Sequence, residues 1–201
     1  MSKKSQALFI LIVLALAVSL SVVYLYGRIS ADESVPGGKI VSSKTTQSEL
    51  NGDGRAEQIE INKYQNGERY DFYLLIKKPF YGYETQRLSG FEEEIDFCEN
   101  PTVGIGNNMS LLCLTGYVGV HSQNIQLIGY DSSIKIIPFR KNDKALLSVY
   151  SDAPKFEISD QDSNQPAKVC LMNRNYDLDP LVDTTQDCYY FSEERFIYQE
   201  D

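Results

Sequence analysis

Asn124 to Phe139 reads NIQLIGYDSSIKIIPF. Two apolar, β-branched runs, IQLIGY and IKIIPF, flank Asp131-Ser132-Ser133, three residues suited to a turn. The pattern predicts a β-hairpin, and similar runs recur on both sides of it. Tyr70 to Ile76 is YDFYLLI, Ser110 to Leu114 is SLLCL, and Ala145 to Tyr150 is ALLSVY. Val169 to Met172 is VCLM, Cys188 to Phe191 is CYYF, and Phe196 to Tyr198 is FIY. Ile59 and Ile61 alternate with Gln58, Glu60 and Asn62, the period of a half-buried strand. Asn66-Gly67, Asn100-Pro101 and Lys141-Asn142-Asp143 supply further turns. No segment here sustains a 3.6-residue period, so the expectation is an all-β domain of roughly ten to twelve short strands.

The 201 residues are 42% hydrophobic, too apolar for a disordered chain, and carry 19 basic against 28 acidic side chains. Lys3, Lys4 and Arg28 are the only basic residues before the first acid, Asp32, so the rest of the chain is more acidic still. Such a surface repels phosphate backbones and argues against nucleic acid as a partner.

Ala7 to Tyr26, ALFILIVLALAVSLSVVYLY, has no charge and only Ser19 and Ser21 as polar residues. At about 1.5 Å per residue it spans the roughly 30 Å hydrocarbon core. Lys3 and Lys4 keep the N-terminus inside by the positive-inside rule. The expected organisation is a cytoplasmic tail over 1–6, a transmembrane anchor over 7–27, a flexible linker over 28–46 and a periplasmic or extracellular β-domain over 47–201. A cleaved signal peptide is the competing reading. It calls for a shorter apolar region followed by a small-x-small site, for which Ile29-Ser30-Ala31 is the only passable match.

Cys98, Cys113, Cys170 and Cys188 all lie in the exported part, where disulfides form. Turn-rich residues separate Cys98 from Cys113, and NYDLDP lies between Cys170 and Cys188. Each pair closes a hairpin-like excursion, so the pairing expected is Cys98 with Cys113 and Cys170 with Cys188. No CxxC motif is present to support redox or zinc-ribbon chemistry.

The most specific local feature is Glu49-Leu-Asn-Gly-Asp-Gly-Arg-Ala-Glu57. Glu49, Asn51, Asp53 and Glu57 put side-chain oxygens at positions one, three, five and nine, and the carbonyl of Arg55 falls at position seven. A hard cation takes six to eight oxygens at about 2.3–2.6 Å, so a loop of alternating oxygen donors suits calcium. Gly52 and Gly54 permit the positive φ that the curl requires. Glu60 falls where an EF-hand has its closing ligand, but Gln58-Ile-Glu-Ile-Asn62 reads as a strand and not a helix. The loop resembles the calcium loops of FG-GAP/VCBS repeats, as in integrin α-chain propellers, whose pattern D-x-[DN]-x-D-G-x-x-[DE] runs into a β-strand. The resemblance covers Glu49 to Ile61 and departs at position one, where Glu replaces Asp. It implies blade-like antiparallel sheets, as a partial propeller or a compact β-sandwich, with calcium in a structural role.

A shift of 111 residues lays Asp160-Gln-Asp-Ser-Asn-Gln-Pro-Ala-Lys168 on the same loop, again flowing into an apolar strand. Asp160, Asp162 and Asn164 keep positions one, three and five. Lys168 puts a cation at position nine, and Gln165 replaces the Gly at position six. This copy is degenerate, and a single ion at the first loop is expected.

Other constellations are weaker. His121-Ser122 with Asp131 lacks a nucleophile elbow, and Glu92-Glu93-Glu94 reads as a solvated charge run. Asp177, Asp179 and Asp183 read as a polar loop, and Asn108-Met-Ser110 is a glycosylation sequon. Tyr70, Tyr73, Tyr81, Tyr83, Tyr117, Tyr189 and Tyr190 suit either a glycan- or protein-binding surface or a strand core. The expected function is a membrane-anchored, calcium-binding β-domain that acts as a binding or surface-interaction module. The alternatives are a carbohydrate-active enzyme or accessory domain, and a purely structural envelope protein.

Overall fold

The computed structural model describes residues 38–78, 82–106, 108–118, 122–151, 156–162, 165–175 and 182–199. The expected tail and anchor, and the linker up to residue 37, lie outside them. Among the described residues no helix is long and apolar enough to cross a membrane.

The described chain is all β. β1 (Lys39–Ser48), β2 (Glu57–Asn66), β3 (Arg69–Lys77) and β4 (Tyr83–Leu88) form a first antiparallel sheet in sequence order. β5 (Ile95–Gly106), β6 (Met109–Val118), β7 (Ser122–Asp131) and β8 (Ser133–Ile137) form a second meander. The chain then crosses to a third sheet for β9 (Phe139–Lys141) and β10 (Lys144–Leu146), and returns for β11 (Val149–Ser151), which pairs with β7. β12 (Phe156–Ser159), β13 (Lys168–Asn175), β14 (Val182–Ser192) and β15 (Arg195–Gln199) complete the third sheet, where β15 also meets β9 in parallel.

Two apolar layers separate the three sheets. Leu50, Ile59, Ile61, Phe72, Leu74 and Ile76 of the first sheet region pack with Leu112, Leu114, Ile128 and Tyr130 of the second. From the opposite face of the second sheet, Leu111, Cys113, Ile125 and Leu127 pack with Val169, Leu171, Tyr189 and Phe196 of the third. The second sheet is therefore buried on both faces. That is why SLLCL and NIQLIGY are nearly continuous apolar runs, whereas β2 alternates. Each such side chain removed from water contributes about 1.5–3 kcal/mol before entropy is counted.

The structure corrects four expectations. Residues 39–46, read as flexible linker, belong to β1 and pair with β2 from Lys39↔Gln65 to Ser48↔Glu57. The run IKIIPF is not one strand: Pro138 has no amide to donate to a ladder, so β8 ends at Ile137 and Phe139 starts β9 in another sheet. ALLSVY is divided in the same way between β10 and β11. Asn100-Pro101, read as a turn, lies within β5, where the register slips between Phe97 and Thr102 as a bulge.

The disulfides join Cys98 to Cys113 and Cys170 to Cys188, so both are local, as their spacing suggested. The first ties β5 to β6 within the inner core, and the second links directly opposed residues of β13 and β14.

Candidate functional site: the acidic loop between β1 and β2

Residues 49–56 connect β1 to β2, and Glu57 opens β2. Leu50 anchors the loop. Its side chain is fully buried between the first and second sheets, and its carbonyl accepts a hydrogen bond from the Ser110 amide of β6 at 3.2 Å. Beyond this anchor the chain curls back through Gly52 at φ 79° and Gly54 at φ 78°. An L-residue at either position would pay the left-handed steric penalty.

The curl is held by its own acidic side chains. Glu49 Oε1 accepts from the amides of Gly52 at 2.8 Å and Asp53 at 3.1 Å. Asn51 Oδ1 accepts from the Asp53 amide at 2.9 Å, and Asp53 Oδ1 from the Arg55 amide at 2.8 Å. Glu57 Oε2 accepts from the Leu50 amide at 2.9 Å, which closes the loop end to end. One carboxylate oxygen each from Glu49, Asp53 and Glu57 lies within 4.8 Å of the other two. Among the described residues no other group of three His, Cys, Asp or Glu side chains comes together in this way.

Three carboxylates so close repel one another. Burial pushes the Glu57 pKa up, the Leu50 amide and its own amide pull it back in part, and the charges of Glu49 and Asp53 raise it further. The loop thus gathers anionic oxygens on a glycine-curled backbone. Its chemistry is that of a hard-cation or proton acceptor. Arg55, whose carbonyl was expected at position seven, is exposed, and Asn51 is half-buried with its oxygen on the Asp53 amide.

The second loop connects β12 to β13, the equivalent link of its meander. Asp160 Oδ1 accepts from the Gly104 amide of β5 at 2.7 Å, and the Gln161 amide donates to the Gly104 carbonyl at 2.8 Å. Asp162 Oδ1 accepts from the Gln165 amide at 2.8 Å. Lys168 is the first residue of β13, opposite Ser159 and Tyr190. Asp160 and Asp162 are thus engaged with backbone amides, and Asn164 lies outside the described residues.

Sequence reasoning did not find the anchoring role of Leu50 or the clip made by Asp160, because each depends on a partner more than 50 residues away in the chain. Of the weaker candidates, Glu94 faces Lys44, with Glu94 Oε1 2.8 Å from its ammonium. Tyr189 is buried in the inner core, whereas Tyr70 and Tyr117 are about half exposed. His121, Asp177, Asp179 and Tyr81 lie outside the described residues. Comparison of the chain with protein-family models, with curated proteins and with solved structures finds no match.

Proposed function

We propose that this chain is an extracytoplasmic binding domain, tethered to a membrane by residues 7–27, in which the first acidic loop holds a structural calcium ion. The convergence of Glu49, Asp53 and Glu57 within 4.8 Å carries the calcium reading. Three negative charges on one curl cost the fold free energy until a cation offsets them, and calcium accepts such mixed carboxylate sets. The two disulfides support an oxidising compartment. The uncharged run Ala7 to Tyr26 supports the tether.

The finer fold reading is a stack of three blade-like units, akin to a partial propeller. It is supported by three four-stranded meanders, β1–β4, β5–β8 and β12–β15. The two acidic loops occupy the same link in the first and third, and the middle meander has only a short turn there.

Thermal melting of the full chain in detergent, with calcium or with a chelator, tests the ion. Calcium should raise the melting temperature. Asp53→Ala should abolish the rise, and Asp162→Ala should leave it intact. No change in wild-type melting at millimolar calcium refutes the calcium reading.

A further inference from the structure

The second and third sheets part where β6 ends and β7 begins, leaving a cleft of about 590 Å³. That is within the range of small-ligand sites. Thr115, Tyr117 and Gln123 line it from the second sheet, and Phe156, Ile158 and Met172 from the third. Tyr117 and Gln123 are cross-strand partners on one face, so both present side chains to the same side.

The rim is acidic. Glu94, Asp96, Glu99 and Glu157 border the cleft, against a single cation, Lys44. Lys44 is already committed, with its ammonium 2.8 Å from Glu94 and 2.7 Å from Asp96. This leaves Glu99 and Glu157, both exposed and without an ion-pair partner among the described residues. They sit on β5 and β12, two strands in contact with each other that both line the cleft. Two further features point to a ligand. Tyr117 keeps 49% of its surface exposed at the cleft wall, a large aromatic area with no protein cover. Gln123 Oε1, shielded from solvent, accepts no hydrogen bond, which costs free energy until a donor reaches it.

An apolar floor, an aromatic face, an unspent acceptor and two unpaired carboxylates define one chemistry. The complement is a cation with N–H donors carried on an aliphatic stem, as Lys44 itself illustrates at one end of the cleft. We propose that this cleft binds an alkylammonium or guanidinium group, as the basic side chain of a polypeptide. This names the ligand class of the binding module proposed above. It does not depend on the calcium loop, which shares no residue with the cleft.

The test uses the full chain in detergent and a fluorescein-labelled peptide, Gly-Arg-Gly-Arg-Gly-amide, read by anisotropy. The peptide should bind saturably, and the same peptide with Glu for Arg should not. The double variant Glu99→Gln, Glu157→Gln should weaken binding about fivefold to tenfold, and Tyr117→Ala about threefold. Glu193→Gln with Glu194→Gln removes the same charge on the β14–β15 turn and should change affinity less than about twofold. Spermidine as competitor separates the sources: weak competition assigns the site to polypeptide side chains, whereas competition at or below the peptide concentration assigns it to a free polyamine. Absence of saturable binding overturns the proposal, as does equal weakening by both double variants, since binding then follows net charge alone. Melting the same samples with and without calcium tests the loop separately.

Discussion

Glu57→Gln should change the sign of its effect when calcium is added. In the ion-free protein the Glu57 carboxylate is partly buried and faces Glu49 and Asp53. Burial first, and then these two charges, raise its pKa above the ordinary carboxylate value. A carboxyl whose folded pKa is raised stabilises the fold while protonated. That contribution is fully present below the unfolded value and is lost as pH rises through the folded pKa. At neutral pH the ionised group therefore costs stability. Gln keeps an oxygen for the Leu50 amide, now 2.9 Å away, and removes the charge. With chelator at pH 7 the variant should melt slightly above wild type, by less than about 1 kcal/mol given the exposure of the loop. On acidification below the ordinary carboxylate range the two should converge.

With calcium the order reverses. Binding to the folded state alone stabilises wild type by about 2.7 kcal/mol at a hundredfold excess over the dissociation constant. For a domain of this size each kcal/mol moves the melting temperature by about 2–4 °C, so the rise is about 5–10 °C. The Gln variant should lose most of it. Differential scanning calorimetry at two pH values, with chelator or calcium, gives the full set. A variant that melts below wild type in chelator at pH 7 refutes the repulsion argument. A variant that gains as much from calcium as wild type removes Glu57 from the ligand set.

Leu50→Ala empties a fully buried position between two sheets and should cost about 2–5 kcal/mol in urea unfolding, with weaker calcium binding because the loop loses its anchor. Gly116→Ala sets a methyl group against the Glu94 carbonyl oxygen and 2.5 Å from Phe91 Cδ1, so thermal melting should show a loss of about 1–3 kcal/mol. Non-reducing peptide mapping should recover Cys98 with Cys113 and Cys170 with Cys188. Opening the first bond, which spans 15 residues, should cost about 3 kcal/mol by the chain-entropy argument. Asp160→Ala removes the acceptor for the Gly104 amide and should cost about 1 kcal/mol while leaving the calcium response unchanged.

What the sequence made legible follows from burial. SLLCL and NIQLIGY lie in a sheet covered on both faces, so nearly every residue there is apolar and the strands announce themselves. KIVSSKTTQS of β1 has no such signal, because an edge strand with a mostly exposed pattern needs no apolar period. It is held chiefly by its ladder to β2, which composition does not encode. YETQRL of β4 is quiet for a similar reason: it too is an edge strand, and Leu88 is its only buried side chain. The acidic loop was legible because its carboxylates recur every four residues around two glycines. The convergence of Glu49, Asp53 and Glu57 is local geometry.

The divergence of the two loops was not legible, and its cause is visible in one pair of facing residues. Gly104 and Ser110 are cross-strand partners at the end of the β5–β6 hairpin. The second residue of each loop docks there through its backbone: the Leu50 carbonyl takes the Ser110 amide, and the Gln161 amide reaches the Gly104 carbonyl. The docking is shared, but the side chains that secure it differ. Leu50 buries itself in the core, so the first loop is tied to the second sheet by an apolar anchor, and Glu49 bonds only within its own curl, where it faces Asp53 and Glu57. Gln161 is exposed and lies over Gly106, where an added β-carbon would sit 3.0 Å from its Oε1. It contributes no apolar anchor, and Asp160 secures the contact by taking the Gly104 amide. The position-one carboxylate is thus a clip to β5 in the second loop, whereas in the first it bonds the amides of its own curl and lies beside two other carboxylates. Lys168→Glu alone should therefore yield at most weak calcium binding, because Asp160 must leave the Gly104 amide to join the ligand set. Replacing Gln161 by Leu in the same protein should strengthen that binding, and an equal affinity with and without Gln161→Leu, measured by calorimetry, refutes this account of why the loops differ.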